Sequence, residues 1–371
     1  MKILTLCYEY PPLGGGGGRA AAAVAKALRE RGHEVRLCTA ALGGRSFEEN
    51  DGGVRVIRTG SFRRKADTCS VPEMGLYVAT SFGPARRQIR EWKPDVIHAH
   101  FAVPTGALAW ALQRLTGTPY VLTAHLGDVP GGVPEQTGAL FRWIKPFTRP
   151  IWKNAAALTT VSPFVAELAA RAYGRLPEVI PNGIPLPPPP EPRRHQPPRI
   201  LWVGRLSVQK NPRLALESLA ALGDLPWELH VVGDGPLRGE LEDQSARLHL
   251  AERVTFHGWE DSPRVAELMR SSDLLLMTSL SEGFPMVVVE ALAHGLPVAA
   301  TDIPALRGVI LPGENGRLAA PPDLGAALRG LLKDPETRAR LAEGARASAA
   351  RYDLREIARR YEAVLIKAAA R

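Results

Sequence analysis

Short apolar runs alternate with helix-patterned stretches along most of the chain, and this alternation leaves few folds open. Strands are expected at residues 2–7, 34–39, 54–59, 96–99, 120–124 and 157–161, with an Ala-rich helix over 19–31 stopped by Gly32. This β-α-β rhythm predicts a parallel sheet covered by helices on both faces. Between Pro185 and Pro198 more than half the residues are proline, so that stretch reads as a stiff, extended connector. The rhythm then restarts, with strands expected at 199–203, 229–232, 254–256, 274–277 and 298–300. The prediction is an α/β chain with a Rossmann-like domain over 1–187, a Pro-rich linker over 188–198, a second Rossmann-like domain over 199–350 and a C-terminal helix in 351–371. The tail over 354–369 is basic and amphipathic and reads as a packing helix. In open α/β sheets ligands bind beyond the carboxyl ends of the strands, so the chemistry is sought in the loops that follow them.

Several classes fall away on composition. No run approaches the roughly 18 apolar residues that a membrane-spanning helix needs. The first apolar run is followed by Glu9, Pro11 and Pro12, which do not fit a signal peptide, so a cytoplasmic protein is expected. Three cysteines do not make a disulfide framework, and Cys7 and Cys38 are expected to be buried thiols. The net charge of +9 lies wholly in the first half, where residues 1–187 hold 23 Lys and Arg against 14 Asp and Glu. A basic surface of this kind suits a lipid-linked or anionic acceptor, or peripheral contact with the inner face of a membrane. Nucleic acid is not expected, because no recognised module is present and clusters such as Arg63-Arg64-Lys65 lack interleaved aromatics. No metal is expected either. Asp-x-Asp is absent, no acidic or cysteine cluster completes His98-x-His100, and those two rings are expected to point opposite ways.

Three motifs carry chemistry. Gly14 to Gly18 precede the first helix, where glycine lets backbone N–H groups approach an anion. Gly16-x-Gly18-x-x-Ala21 fits a dinucleotide fingerprint only loosely. Six residues separate it from the strand, and strand two ends without an acid, so a flexible loop over a ligand is expected and not an NAD site. Gly204-Arg205-Leu206, followed by Lys210-Asn211-Pro212, places two cations five residues apart at the end of a strand, where a fork and a point charge can flank a diphosphate. In Ser281-Glu282-Gly283-Phe284-Pro285-Met286-Val287-Val288-Val289-Glu290, Gly283 and Pro285 mark a turn into a helix. The helix start offers free N–H groups and a positive dipole end. Glu282 lies before that start and Glu290 about one turn inside, so one can accept from a sugar's hydroxyls and the other from a ribose's. The acids are read as hydrogen-bond acceptors and not as an acid/base pair.

With Asp95-Val96-Ile97-His98-Ala99-His100, Thr123-Ala124-His125, Pro181-Asn182-Gly183, Gly233-Asp234-Gly235-Pro236 and Gly295-Leu296-Pro297, these motifs resemble glycosyltransferase family four over nearly the whole chain. That is a large retaining group with the GT-B fold. The aspartate that often follows the family's Asn-Gly turn is missing, because Ile184 precedes Pro185. The resemblance implies two Rossmann-like parallel-sheet domains facing across a cleft, with the C-terminal helix crossing back to the first. It implies carbohydrate biosynthesis by transfer of a hexose, with retention and without a metal or other cofactor, from a nucleotide-diphosphate sugar to a hydroxyl acceptor. The catalytic set would be His125, Arg205, Lys210 and Glu282. Donor contacts would come from Gly16, Gly17, Gly204, Arg205, Lys210, Glu282, Gly283, Phe284, Pro285, Met286 and Glu290, with residues 257–260 lining the base pocket. Asp128 and Ser162 would face the acceptor. A GT-B-fold epimerase or hydrolase and a non-catalytic nucleotide-sugar-binding module share enough of this pattern to stand as rivals.

Overall fold

Lys2–Cys7, the first apolar run, becomes strand β1 inside a mixed sheet. The computed structural model describes residues 1–66, 69–188 and 195–371. Within it, Met1–Pro185 and Tyr352–Arg371 form one unit and Leu186–Arg351 a second. Residues 189–194, the middle of the expected linker, lie outside the described residues.

The first unit continues with α1 (Gly16–Glu30), β2 (Glu34–Leu42), β3 (Phe47–Asp51), β4 (Val54–Arg63), α2 (Val71–Trp92), β5 (Val96–His100), α3 (Ala107–Thr116), β6 (Tyr120–Ala124), α4 (Pro134–Asn154), β7 (Ala157–Thr160), α5 (Pro163–Tyr173) and β8 (Glu178–Val179). Its strand order is β3-β4-β2-β1-β5-β6-β7-β8. The chain moves outward from β1 through β2, then returns to β1's other side with β5, so the order reverses between β1 and β5. The sheet departs from the expected all-parallel one, because β3 pairs antiparallel with β4. Phe47-Glu48-Glu49-Asn50-Asp51 has no apolar run to announce a strand. It is held as an edge by ion pairs, among them Arg58 Nε to Glu49 Oε1 at 2.7 Å. Cys7 and Cys38 are buried thiols, and burial pushes Cys38 up to about 12.

The second unit carries β9 (Arg199–Val203), α6 (Pro212–Ala220), β10 (Glu228–Val232), α7 (Arg238–Arg247), β11 (Val254–Gly258), α8 (Ser262–Arg270), β12 (Leu274–Met277), α9 (Met286–Ala293), β13 (Val298–Thr301), β14 (Gly316–Ala319), α10 (Leu324–Lys333) and α11 (Pro335–Ala349). Its sheet runs β11-β10-β9-β12-β13-β14 with parallel pairing. Here the order reverses between β9 and β12, so the loops after these two strands flank the crevice where such sheets hold ligands.

The final helix, α12 (Leu354–Ala369), belongs to the first unit. It buries Ile357, Ala358, Tyr361, Val364, Leu365 and Ala368 in one core with Ile3, Val24, Val35, Val96 and Ile180. Glu362 on its outer side pairs with Arg31 and, at 2.7 Å, with His33 Nε2. Backbone bonds join Ile184 N to Tyr352 O and Leu354 N to Ile184 O, both at 2.9 Å, and tie the helix start to the end of the first α/β segment. The amphipathic tail is therefore a packing element. Tyr361→Ala should cost the first unit about 3–5 kcal/mol through the cavity it leaves. Hydrogen exchange at the β1 amides should accelerate accordingly, while β9 amides in the second unit stay as they were.

Candidate functional site

In the second unit the loops after β9 and β12 are stitched to each other. Leu280 N donates to Gln209 O at 2.8 Å, Gln209 Nε2 to Ser281 O at 3.0 Å, and Thr278 Oγ1 to Lys210 O at 3.1 Å. Trp202 Nε1 in turn donates to Thr278 Oγ1 at 3.1 Å. The result is one ion pair: Lys210 Nζ donates to Glu282 Oε1 at 2.6 Å. The Glu282 side chain is 8% exposed and that of Lys210 is 25% exposed, so one charge is held inside and the other reaches solvent. The turn is close-packed behind them. A methyl group on Gly233, whose φ is 128°, would lie 1.9 Å from the Gly204 carbonyl oxygen, so only glycine fits there.

Arg205 is exposed just past β9. Pro285 caps α9 without a side-chain hydrogen bond, and the first amides turn back on the chain, Met286 N donating to Phe284 O at 3.0 Å and Val288 N to Pro285 O at 2.9 Å. Gly283 and Phe284 make the preceding turn, and Glu290, half-buried, is the fifth helical residue. The structure therefore gathers Lys210 and Glu282 directly and sets the α9 start four residues beyond Glu282. His257, in the stretch expected to line a base pocket, pairs with His230, whose Nδ1 is 2.8 Å from His257 Nε2. The neighbouring Trp259 is 76% exposed.

In the first unit three histidines form a buried ladder. The rings of His98 and His100 are 4.2 Å apart, which corrects the expectation that they point opposite ways. Residues two apart on a strand share a face. His100 Nδ1 lies 3.3 Å from His125 Nε2, so one of these nitrogens carries the proton. Phe101 stacks on His125 with centroids 4.3 Å apart. Its φ of 72° is strained backbone for a side chain of this size, at a cost on the order of 1–3 kcal/mol. Sequence reasoning did not single out Phe101, and no residue type there signals a positive φ.

Gly16 and Gly17 are not in a flexible loop. They form the first turn of α1, which starts three residues earlier than expected. A methyl on Gly17 would sit 2.6 Å from the Phe101 ring and 3.3 Å from His125 Nδ1, so the missing side chain lets α1 close onto the histidine. Glu9, also missed, accepts from Gly15 N at 3.2 Å and braces the glycine turn.

Two expected acceptor-side residues are turned inward. Asp128 Oδ2 accepts from Ala102 N at 2.6 Å, and Oδ1 accepts from His125 N and Leu126 N at 2.9 and 3.0 Å. Burial pushes its carboxyl up while these N–H bonds pull it back. Asp128 fixes the loop that presents His125. Ser162 is the N-cap of α5, accepting from Val165 N at 3.3 Å. Among the described residues no group of three or more His, Cys, Asp or Glu is gathered in a way that could hold a metal ion.

Residues 14–187 match the family model described as Glycosyltransferase Family 4, and residues 188–348 the model described as Glycosyl transferases group 1. The chain is similar to the D-inositol 3-phosphate glycosyltransferase of Xylanimonas cellulosilytica, 30% identical over 90% of this chain and 87% of that one. It is also similar to the glycogen synthase of Mycobacterium tuberculosis, 28% identical over 93% and 89%. Among solved structures, sucrose-phosphate synthase from Thermosynechococcus elongatus superposes with a TM-score of 0.85 at 21% identity, covering 98% of each chain. That likeness gives the fold, GT-B.

Burial holds His98 and His125 down to about 3 and His100 well below its ordinary value, with the neighbouring rings adding to the effect at His98 and His100. Unfolded, each titrates near 6.5. Stability contributed by these neutral rings is complete above that value and is lost as pH falls from there toward 3, because the unfolded chain takes up protons that the folded one refuses. Denaturation midpoints should therefore drop between pH 7 and 5, each ring adding up to about 1.4 kcal/mol per pH unit. His98→Gln should flatten that slope by roughly one third of the ladder's share. An unchanged slope would contradict the ladder's neutrality.

Proposed function

The chain belongs to glycosyltransferase family 4, a sugar-nucleotide-dependent group, and on that premise we propose that it transfers a hexose with retention, without a metal ion, to a hydroxyl of a carbohydrate or lipid-linked acceptor. The observation that carries this reading is the stitched pair of loops that joins Lys210 to Glu282, with Arg205 on the first loop and the start of α9 following the second.

A departing nucleoside diphosphate develops negative charge, and fixed positive groups stabilise it without reorganisation during the reaction. The Arg205 fork, the Lys210 ammonium and the α9 amides supply that charge in place of a divalent ion. An ammonium has three donors, so Lys210 can keep Glu282 and still take a phosphate oxygen. Glu282 then accepts from the hexose hydroxyls and Glu290 from the ribose. His125, neutral through its burial, would serve as a hydrogen-bonding group that adds no charge. The acceptor attacks on the face the diphosphate leaves, and the departing phosphate oxygen takes its proton. No protein nucleophile is invoked. The cationic excess of the first half favours an anionic or lipid-linked acceptor.

The test is a donor and acceptor panel read by the anomeric proton of the product. The α-anomer is expected from an α-linked donor. Arg205→Ala should lower kcat by on the order of 10²–10³. Lys210→Ala should in addition destabilise the second unit by about 1–3 kcal/mol, since it strands the Glu282 carboxylate. A β-linked product would overturn retention. Epimerised or hydrolysed donor formed without any acceptor would overturn transfer.

A further inference from the structure

Helix α4 carries an outer face that the catalytic reading does not use. Trp143 is 77% exposed and Phe147 78% exposed, and the two are four residues apart, so they form one aromatic stripe. Arg142, Lys145, Arg149 and Lys153, at spacings of three and four, form an adjoining cationic stripe, with Arg142, Arg149 and Lys153 exposed. The opposite face is anchored. Phe141, Thr148, Ile151 and Trp152 are buried, and the Trp152 ring stacks on Tyr173 with centroids 4.5 Å apart. That face is anchored, while Trp143 and Phe147 are left largely exposed. From residue 136 to 166 there is no Asp or Glu, so that stretch carries only positive charge. The exposed Trp259 of the second unit differs, being followed at once by Glu260 and Asp261.

We propose that this face of α4 docks on an anionic lipid surface, with Trp143 and Phe147 entering the headgroup boundary and the four cations meeting lipid phosphates. Charge complementarity carries the choice of occupant. A helix lying in a membrane interface needs bulky aromatics on one side and Lys or Arg beside them, and α4 has both on an otherwise anchored element. The whole net positive charge of the chain lies in the half that contains α4. Unlike Arg63-Arg64-Lys65, the stretch Arg142-Trp143-Ile144-Lys145-Pro146-Phe147-Thr148-Arg149 does interleave aromatics with cations. Single-stranded nucleic acid, however, is tracked by a groove, and α4 offers a convex helix face. No helix among the described residues is long and apolar enough to cross a membrane, so the contact is peripheral. The proposal stands apart from the catalytic reading, because vesicle binding needs no donor.

The full chain should co-sediment with vesicles of phosphatidylcholine containing roughly 30% phosphatidylglycerol, stay in solution with phosphatidylcholine alone, and release as salt is raised. Trp143→Ser with Phe147→Ser should lower partitioning by on the order of tenfold or more, as should Arg142→Gln with Arg149→Gln, with melting curves unchanged. Brominated lipid should quench tryptophan fluorescence in the wild type and less in Trp143→Phe, a variant that keeps the apolar surface. Absence of binding to the anionic vesicles would overturn the proposal, as would equal binding by the Trp143/Phe147 double variant. Loss of oligonucleotide binding or of self-association in that variant, with vesicle binding intact, would also overturn it.

Discussion

The ammonium of Lys210 on the carboxylate of Glu282 joins residues 72 positions apart, and the second unit's loops are organised around that contact. A buried carboxylate is costly without a partner. Two loops must therefore be held in register, and three hydrogen bonds between residues 209–210 and 278–281 do so. The register comes from the sheet itself. β9 and β12 are neighbours at the point where strand order reverses, so their following loops are adjacent without any long connection. Gly233 closes the cradle from behind, because its missing side chain admits the Gly204 carbonyl.

The first unit solves a related problem with neutral groups. Its order reverses between β1 and β5, and the loops beyond those strands bring Gly17, Phe101 and, from β6, His125 together. Asp128 is turned inward. It holds three backbone amides, which fixes the path of the chain around His125. Burial and the neighbouring rings keep the histidine ladder uncharged. The C-terminal helix closes the same core from below, with Tyr361 against His98 at 5.2 Å.

Much of this was legible in the sequence, for physical reasons. Runs such as Ile3–Leu6 and Leu274–Met277 are apolar throughout because a parallel sheet buries both faces, so they declare themselves. β3 does not, since an exposed edge needs no apolar residues. The α1 start was misplaced because glycine weakens every helix signal even where close approach to Phe101 demands it. Residue type located Asp128 and Ser162 near the right strand ends. It did not give the direction of their side chains, which depends on amides that the fold brings to them. The pairing of Lys210 with Glu282 was hidden for the same reason: each was visible as a ligand for a substrate, neither as a ligand for the other.

The central claim is that cationic side chains and a helix start do the electrostatic work of a metal ion. Calorimetric titration of UDP, GDP and ADP into the chain in the presence of excess EDTA tests it most directly. The account predicts binding of at least one nucleotide at undiminished affinity in the chelator, weakened on the order of tenfold or more when Arg205 is replaced by alanine. Binding that appears only when a divalent cation is restored would contradict it.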